Sequence, residues 1–375
     1  MLIWLTAEIS PRPLGLARLI VGAAATIRAV VAIPTLTKLT QPETLRAPFF
    51  DWFPVPTPVL VATVMAVWFV AAILFTIGWR LSFTGPVLLG SIVFSLSLDL
   101  QTYSNHLYLM AWLILLLTIA DAGAGLSIER KQRPAIRWPV LLLMTQASVV
   151  YGFAAITKLN ADFLSGRVLA GVLNGGIVSF PDALRTSEFL GAVAIAAVFA
   201  ELFIALFLWS PRFRPAAFIL GLGLHATITL FMGHTGELLV FSLEMLALYP
   251  LFLTQDPLLV IWDDQCASCK DWITRFRRID LLDALVPIGK NQPGHDIGLD
   301  DVERSIHLVH GKTTRGFAAI TRILEHLVPT LWIAPILRLP GIRHLGEWWY
   351  RWQAGRRSCA VALGSRPSKP VSSES

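Results

Sequence analysis

Leu258-Leu259-Val260-Ile261-Trp262-Asp263-Asp264-Gln265-Cys266-Ala267-Ser268-Cys269 begins as an apolar run and ends in two cysteines at CxxC spacing. The run has the length and composition of a buried strand. Behind it, Lys270-Asp271-Trp272-Ile273-Thr274-Arg275-Phe276-Arg277-Arg278 places apolar residues at helical intervals, so the cysteines fall where a strand hands over to a helix. At a helix N-terminus the orphan N–H groups and the macrodipole favour an anion, and with it thiolate over thiol. A pair so placed suits thiol chemistry. Two other readings share the spacing. A CxxC pair also begins many zinc sites, for which Cys359, His307, His310 and His326 are the further ligands on offer, and two cysteines can pack as small hydrophobes.

Upstream of this junction the chain reads as membrane sequence. Of its 375 residues 55% are hydrophobic and 15% charged, and a mean hydropathy of +0.62 lies outside the range of soluble globular proteins. Apolar stretches suited to a bilayer cover Leu14–Val31, Thr57–Trp79, Phe83–Leu100, His106–Asp121, Trp138–Thr157, Phe189–Trp209, Pro215–Met232 and Glu237–Leu253. A polytopic α-helical membrane domain of about eight helices is therefore expected over residues 1–254. The first stretch reads as retained rather than cleaved, because Arg18 and Arg28 interrupt it and no small-residue cleavage motif follows.

The remainder reads as a small α/β domain over 255–357 and a disordered polar tail over 358–375. Its elements are a strand at Leu258–Trp262, a helix at Cys269–Arg278, a loop through Asn291-Gln292-Pro293-Gly294, a strand at Ser305–Val309, a turn at His310-Gly311-Lys312 and a helix at Phe317–Leu327. Pro329–Leu339 and Trp348-Trp349-Tyr350-Arg351-Trp352 are apolar or aromatic beside basic residues, which suggests a membrane-surface segment.

Basic residues set the expected orientation. Arg80, the group Arg130, Lys131, Arg133 and Arg137, and the pair Arg212 and Arg214 follow even-numbered stretches, whereas Leu100–Asn105 and Gly233–Gly236 carry no Lys or Arg. The positive-inside rule places the N-terminus and the CxxC domain in the cytoplasm, against the vote of Lys38, Arg46, Arg167 and Arg185. A reducing compartment suits a cycling dithiol better than a lasting structural disulfide. The net charge of +6 follows from basic loops beside anionic headgroups, and no motif reads nucleic acid.

Residues roughly Leu258–Arg357 resemble the DCC family of thioredoxin-like proteins. The resemblance rests on Asp263, Cys266 and Cys269, on Arg277-Arg278-Ile279-Asp280, on His307-Leu308-Val309, Gly311 and Arg315-Gly316-Phe317-Ala318-Ala319, and on Leu339-Pro340-Gly341 with Trp349-Tyr350-Arg351. It implies thiol-disulfide exchange with thiol or disulfide partners, Cys266 attacking and Cys269 resolving, with Asp263 in support. Asp264 stands where that family usually has Gly, which adds a carboxylate to the turn before the first cysteine.

The membrane half has its own polar set. His106, Glu201, His225 and Glu244 lie within apolar runs and Lys158 ends the fifth, although each ionisable group costs ~2.5–3.5 kcal/mol to insert. Lys158 can act as a desolvated base or snorkel to the interface, and the histidines can serve chemistry or satisfy neighbouring helices. Ser104-Asn105-His106-Leu107-Tyr108, the block Tyr151–Gly166, and Leu224-His225, Met232-Gly233, Phe241-Ser242 and Met245-Leu246-Ala247-Leu248-Tyr249 are similar to the membrane domain of vitamin K-dependent γ-carboxylase and its bacterial relatives, the HTTM proteins.

That resemblance covers roughly Leu14–Leu253 and implies a bacterial inner-membrane protein with a quinol or quinone ligand of vitamin K type. Lys158 would be the base, and His106, His225 and Tyr151 would contact the ring, with Glu201 in support. Phe163 stands where the family generally has Trp. After Leu253 the chain passes straight into the CxxC domain, without the peptide-binding lumenal domains of the animal enzyme, so carboxylation of protein glutamate is not implied. Two functions are expected from these readings: a membrane oxidoreductase combining disulfide exchange with a quinol site, or a membrane anchor, carrier or assembly scaffold bearing the CxxC domain.

The orientation has a direct test. A cysteine placed at Lys312 should be shielded from an impermeant maleimide in intact cells and one at Thr235 should be labelled; the reverse pattern would reject the orientation.

Overall fold

The computed structural model describes residues 2–355 apart from 51, 53–54, 130–132, 174–175, 234, 254–256 and 332. Arg130, Lys131, Cys359 and the polar tail expected over 358–375 lie outside the described residues. The chain divides into two units, Met1–Asp256 and Pro257–Ser375.

The first unit is built from α1 (Arg12–Val31), α2 (Pro58–Ile77), α3 (Leu81–Leu98), α4 (Asn105–Ile119), α5 (Arg137–Thr157), α6 (Ser187–Phe207), α7 (Arg214–Phe231) and α8 (Thr235–Leu246). Their boundaries follow local chemistry. Thr57 accepts the Leu60 N–H at 3.2 Å to open α2, with Pro58 at its first position, and Gly78 closes it at φ +74°. Thr186 caps α6 in the same way through Phe189 N–H. Among the described residues six helices are long and apolar enough to cross a bilayer, namely α1–α3 and α5–α7, with α1 continuing past Ala32 to Lys38.

The fourth and eighth expected spans are shorter than their apolar sequence suggests. Helix α4 has 15 residues, about 22 Å of helix against a hydrocarbon core of ~30 Å. The extended Asp99 turns the chain before it, accepting N–H bonds from Ala47 at 2.8 Å and Gln101 at 3.0 Å. Met110, Leu113, Ile114 and Leu117 are buried, and α4 packs against α1, α3, α5 and α8, so it is an inner helix of the bundle. Helix α8 has 12 residues and is followed by a 3-10 turn at Tyr249–Phe252, because Pro250 lacks the N–H that would continue the ladder and disfavours helical geometry at Tyr249.

Arg18, which interrupts the first apolar stretch in sequence, is wholly buried in the bundle. Its guanidinium donates to the carbonyls of Ala122 at 3.0 Å, Gly125 at 3.2 Å and Leu126 at 2.7 Å, tying α1 to the segment between α4 and α5.

The second unit is a four-stranded sheet in the order β2-β1-β3-β4, with β1 (Leu258–Trp262), β2 (Leu285–Gly289), β3 (His307–His310) and β4 (Lys312–Arg315). Helix α9 (Ala267–Ile279) carries the crossover between β1 and β2, which pair in parallel from Leu258↔Leu285 to Trp262↔Gly289. β3 is antiparallel to β1 and forms a hairpin with β4 around Gly311. After α10 (Leu299–Arg304) and this hairpin come α11 (Gly316–Leu324) and α12 (Pro340–Gly355). The result is βαβ followed by ββα, the thioredoxin-like arrangement expected for the domain.

The core of this unit gathers Leu258, Val260, Ile273, Phe276, Leu308 and Ile323 between sheet and helices. Asp280, from the Arg277–Asp280 block, is buried after α9 and accepts N–H bonds from Ala284 at 3.0 Å and Leu285 at 2.8 Å, fixing the entry to β2. The aromatic segment read as a membrane-surface strip is the last half of α12. Tyr350 is buried there and its hydroxyl accepts the Ile306 N–H at 2.9 Å, while Glu347 accepts from Phe317 N–H at 3.3 Å.

Candidate functional site

The CxxC pair opens α9 as the sequence expects. Cys266 is the N-cap residue, with extended backbone, and its sulfur accepts the Cys269 N–H at 3.4 Å. Ser268 Oγ lies 3.2 Å from the same sulfur. Both contacts place donors where negative charge on Cys266 would form. Accessibility separates the two thiols: Cys266 is 1% exposed, whereas Cys269 is half-buried and borders a cavity of about 70 Å³.

Asp263 organises the approach to the pair. Its carbonyl accepts the Cys266 N–H at 3.2 Å and its Oδ1 accepts the Gln265 N–H at 3.1 Å, so the turn closes with Asp264 in place of Gly. The Asp264 side chain is exposed and its carboxylate lies over Gly289. Asp263 is buried and forms an ion pair with Lys290 at 3.1 Å, while Lys290 also reaches Glu303 at 2.7 Å. Glu303 first, and Asp263 with it, favour the ammonium form and raise the pKa of Lys290. Lys290 and Glu303 carry no sequence signal, since their pairing depends on how β2 and α10 meet at β1.

His307 Nδ1 meets the Ser305 carbonyl at 3.0 Å, and His310 packs edge-on against His326 with ring centroids 5.3 Å apart. No three His, Cys, Asp or Glu side chains converge as a metal site among the described residues.

In the first unit, Lys158 caps the end of α5 and contacts Glu201 of α6 at 2.5 Å, with Glu201 5% and Lys158 28% exposed. The ammonium also lies 5.7 Å from the Phe163 ring centroid, so the residue that replaces Trp still offers an aromatic face. Glu201 Oε2 is buried with no hydrogen-bond partner among the described residues. Tyr151 of α5 joins the next group: its hydroxyl is 2.7 Å from His225 Nε2 and 2.8 Å from the Tyr249 hydroxyl. His225 Nδ1 is 3.2 Å from Ser242 Oγ, which is itself 3.0 Å from Thr229.

His106 enters this arrangement through Phe241, whose ring centroid lies 4.4 Å from that of His106 and 5.5 Å from that of His225. The structure thus brings Tyr151 and His225 into direct contact, pairs Lys158 with Glu201, and links His106 to His225 through a shared ring. Tyr249, Ser242 and Phe241 were not assigned a role from sequence, although they stand in the blocks that carry the γ-carboxylase resemblance. Tyr249 stacks on Phe218 at 4.9 Å, and its hydroxyl lies so close to Gly221 on α7 that any side chain at 221 would collide with it. Arg28 pairs with Glu237 at 3.3 Å, and Glu244, wholly buried, has neither oxygen hydrogen-bonded among the described residues.

Sequence comparison gives two matches. The HTTM domain family matches residues 7–256, and the DCC1-like thiol-disulfide oxidoreductase family matches residues 260–360. No curated protein and no solved structure matches the chain significantly.

The Lys158–Glu201 contact generates a stability test. Lys158→Met leaves a buried carboxylate without its cation, so the thermal midpoint in detergent should fall by the equivalent of ~3–5 kcal/mol, less if Glu201 takes up a proton. Adding Glu201→Gln should recover most of the loss. Equal losses in the single and double variants would show that the pair does not stabilise the bundle.

Proposed function

This chain belongs to the HTTM domain family and continues into a DCC1-like thiol-disulfide oxidoreductase domain, and on that basis we propose a membrane-bound oxidoreductase with two working sites. The first is the Cys266–Cys269 dithiol. As it closes to a disulfide, two electrons pass to a partner disulfide, which becomes two thiols, and the reverse reaction oxidises a partner dithiol. The observation that carries this reading is the Cys266 sulfur accepting a helix N-terminal N–H, with Cys269 bordering a cavity. Asp263, buried beside the pair and held by Lys290, supports the turn.

The second site is a quinol or quinone pocket formed by Lys158, His106, His225 and Tyr151, with Glu201 in support. As the base that the γ-carboxylase resemblance implies, Lys158 would take a proton from a quinol hydroxyl, while His225 and Tyr151 supply hydrogen bonds to the ring oxygens. With the short α4 and α8 counted as crossings beside the six long helices, positive-inside reasoning favours the cytoplasmic side of a bacterial inner membrane for the N-terminus and the CxxC domain, and the protein partners are then thiol or disulfide proteins of that compartment.

One observation favours the anchor or scaffold reading for the membrane unit. Tyr151, His225, Ser242 and Tyr249 satisfy one another and Lys158 is paired, as a bundle stabilised by internal hydrogen bonds would require.

Exchange chemistry is tested by turnover of the detergent-solubilised protein on a disulfide substrate. Cys266→Ser and Cys269→Ser should each lower it by about a hundredfold or more. Thiols that resist alkylation in the folded protein would favour buried packing, and stoichiometric zinc would favour the metal reading.

For the membrane site, the well-folded double variant Lys158→Met/Glu201→Gln and the variant His106→Ala should bind a naphthoquinone about tenfold more weakly. Binding isotherms equal to that of the wild type would leave these residues as packing and interfacial anchors.

A further inference from the structure

The cavity beside Cys269 is more than a gap behind a cysteine. Its walls include Trp272 and Phe276 on α9 and Trp349 on α12, with Asp263 and Gln353 as polar members. The aromatic rings brace one another: Trp272 meets Phe276 at 5.8 Å and stands edge-on to Trp349 at 6.3 Å between centroids. Helix α12 is fixed in place by the Tyr350 and Glu347 hydrogen bonds to backbone N–H groups, so the wall it supplies is part of the domain. A single water needs roughly 10–15 Å³ of such space. About 70 Å³ lined by aromatic rings therefore suits a ring-sized apolar group.

The arrangement also ranks the two thiols. Cys266 is almost fully buried and faces helix donors, whereas Cys269 borders the cavity together with the Asp263 carboxylate. We infer that the aromatic cavity is the subsite for a ring-sized apolar group bonded to the substrate's sulfur, and that Cys269 is the thiol that meets this sulfur first. The inference rests on the disulfide-exchange reading and assigns it a substrate class and an order of attack, opposite to the order that the DCC resemblance implies.

The steps balance. Cys269 thiolate attacks the ring-bearing sulfur of a substrate disulfide, forming a mixed disulfide and expelling the other sulfur as a thiolate. Cys266 thiolate then attacks Cys269 Sγ, forming the Cys266–Cys269 disulfide and releasing the ring-bearing thiolate. Two electrons leave the dithiol, and the two protons of its thiols end on the two product thiols. Asp263 lines the same cavity as Cys269, and the protons pass through solvent.

The test uses the reduced full-length protein in detergent with two disulfides, aromatic dithiodipyridine and aliphatic hydroxyethyl disulfide. The wild type should prefer the aromatic substrate. Gln353→Trp, a change at an exposed position of α12, places a ring at the cavity and should lower the aromatic-to-aliphatic ratio of kcat/KM about tenfold. A single encounter with dithiodipyridine should leave a stable thiopyridine adduct on Cys269 in Cys266→Ser, and form an adduct about tenfold more slowly on Cys266 in Cys269→Ser.

An unchanged ratio in Gln353→Trp would remove the subsite. Adduct formation at Cys266 as fast as at Cys269 would remove the order of attack. A wild type that reduces neither disulfide, while remaining folded, would overturn the exchange reading itself and this inference with it.

Discussion

An ion removed from water is costly unless it finds a partner inside the protein, and three cations of the first unit each meet one. Arg18 spends its guanidinium on three carbonyls, Arg28 reaches Glu237, and Lys158 reaches Glu201. Each contact joins elements distant in sequence: α1 to the segment before α5, α1 to α8, and the end of α5 to α6. Helix faces made of Leu, Val and Ala could slide past one another at little cost, because lipid tails are as apolar as the side chains they would replace. A carboxylate opposite an ammonium cannot slide. The polar contacts thus fix the register in which Tyr151, His225, Tyr249 and Ser242 meet.

In the second unit one atom has two duties. The N-cap position of a helix is ordinarily held by Ser, Thr, Asp or Asn, whose oxygen satisfies an orphan N–H. Here Cys266 sulfur takes that place toward Cys269 N–H, so the contact that starts α9 also favours charge on the thiol. Closing the disulfide changes the acceptor strength of that sulfur, which couples the helix start to the redox state. Asp263 is double-purposed too, forming the preceding turn through its backbone and side chain while pairing with Lys290.

What could be read from the sequence was what short-range chemistry determines. The strand at Leu258–Trp262, the cysteines at the start of a helix and the turn at Gly311 depend on neighbours a few positions away, and the long apolar helices declare themselves by composition. The misses have physical causes. Leu285-Val286-Pro287-Ile288-Gly289 is a strand not named from the sequence; its Pro287 removes a ladder donor, which β2 tolerates as an edge strand paired on one side only. The expected eighth span ran through Pro250, where hydropathy sees an apolar residue and the backbone finds no donor. In the site, Lys158 was singled out but its pairing with Glu201, 43 positions away, was not, and the Asp263–Lys290–Glu303 set was invisible for the same reason. Among the aromatic residues near the C-terminus, Trp349 and Tyr350 supply a wall and an anchor of the CxxC domain, while Trp348 and Trp352 stay exposed on α12.

The place of α12 in that domain carries a consequence for biosynthesis. Trp349 and Tyr350 lie some 80 residues downstream of Cys269, which at ~5–20 residues per second leaves the dithiol without the α12 side of its aromatic wall for about 4–16 s of translation. The membrane helices are already made by then. Nascent chains therefore pass through a period in which Cys269 lacks the Trp349 side of its cavity, and synthesis of α12 completes it. A ribosome that stalls within Leu339–Gly355 would leave a membrane-bound chain whose cysteine pair faces an unfinished cavity.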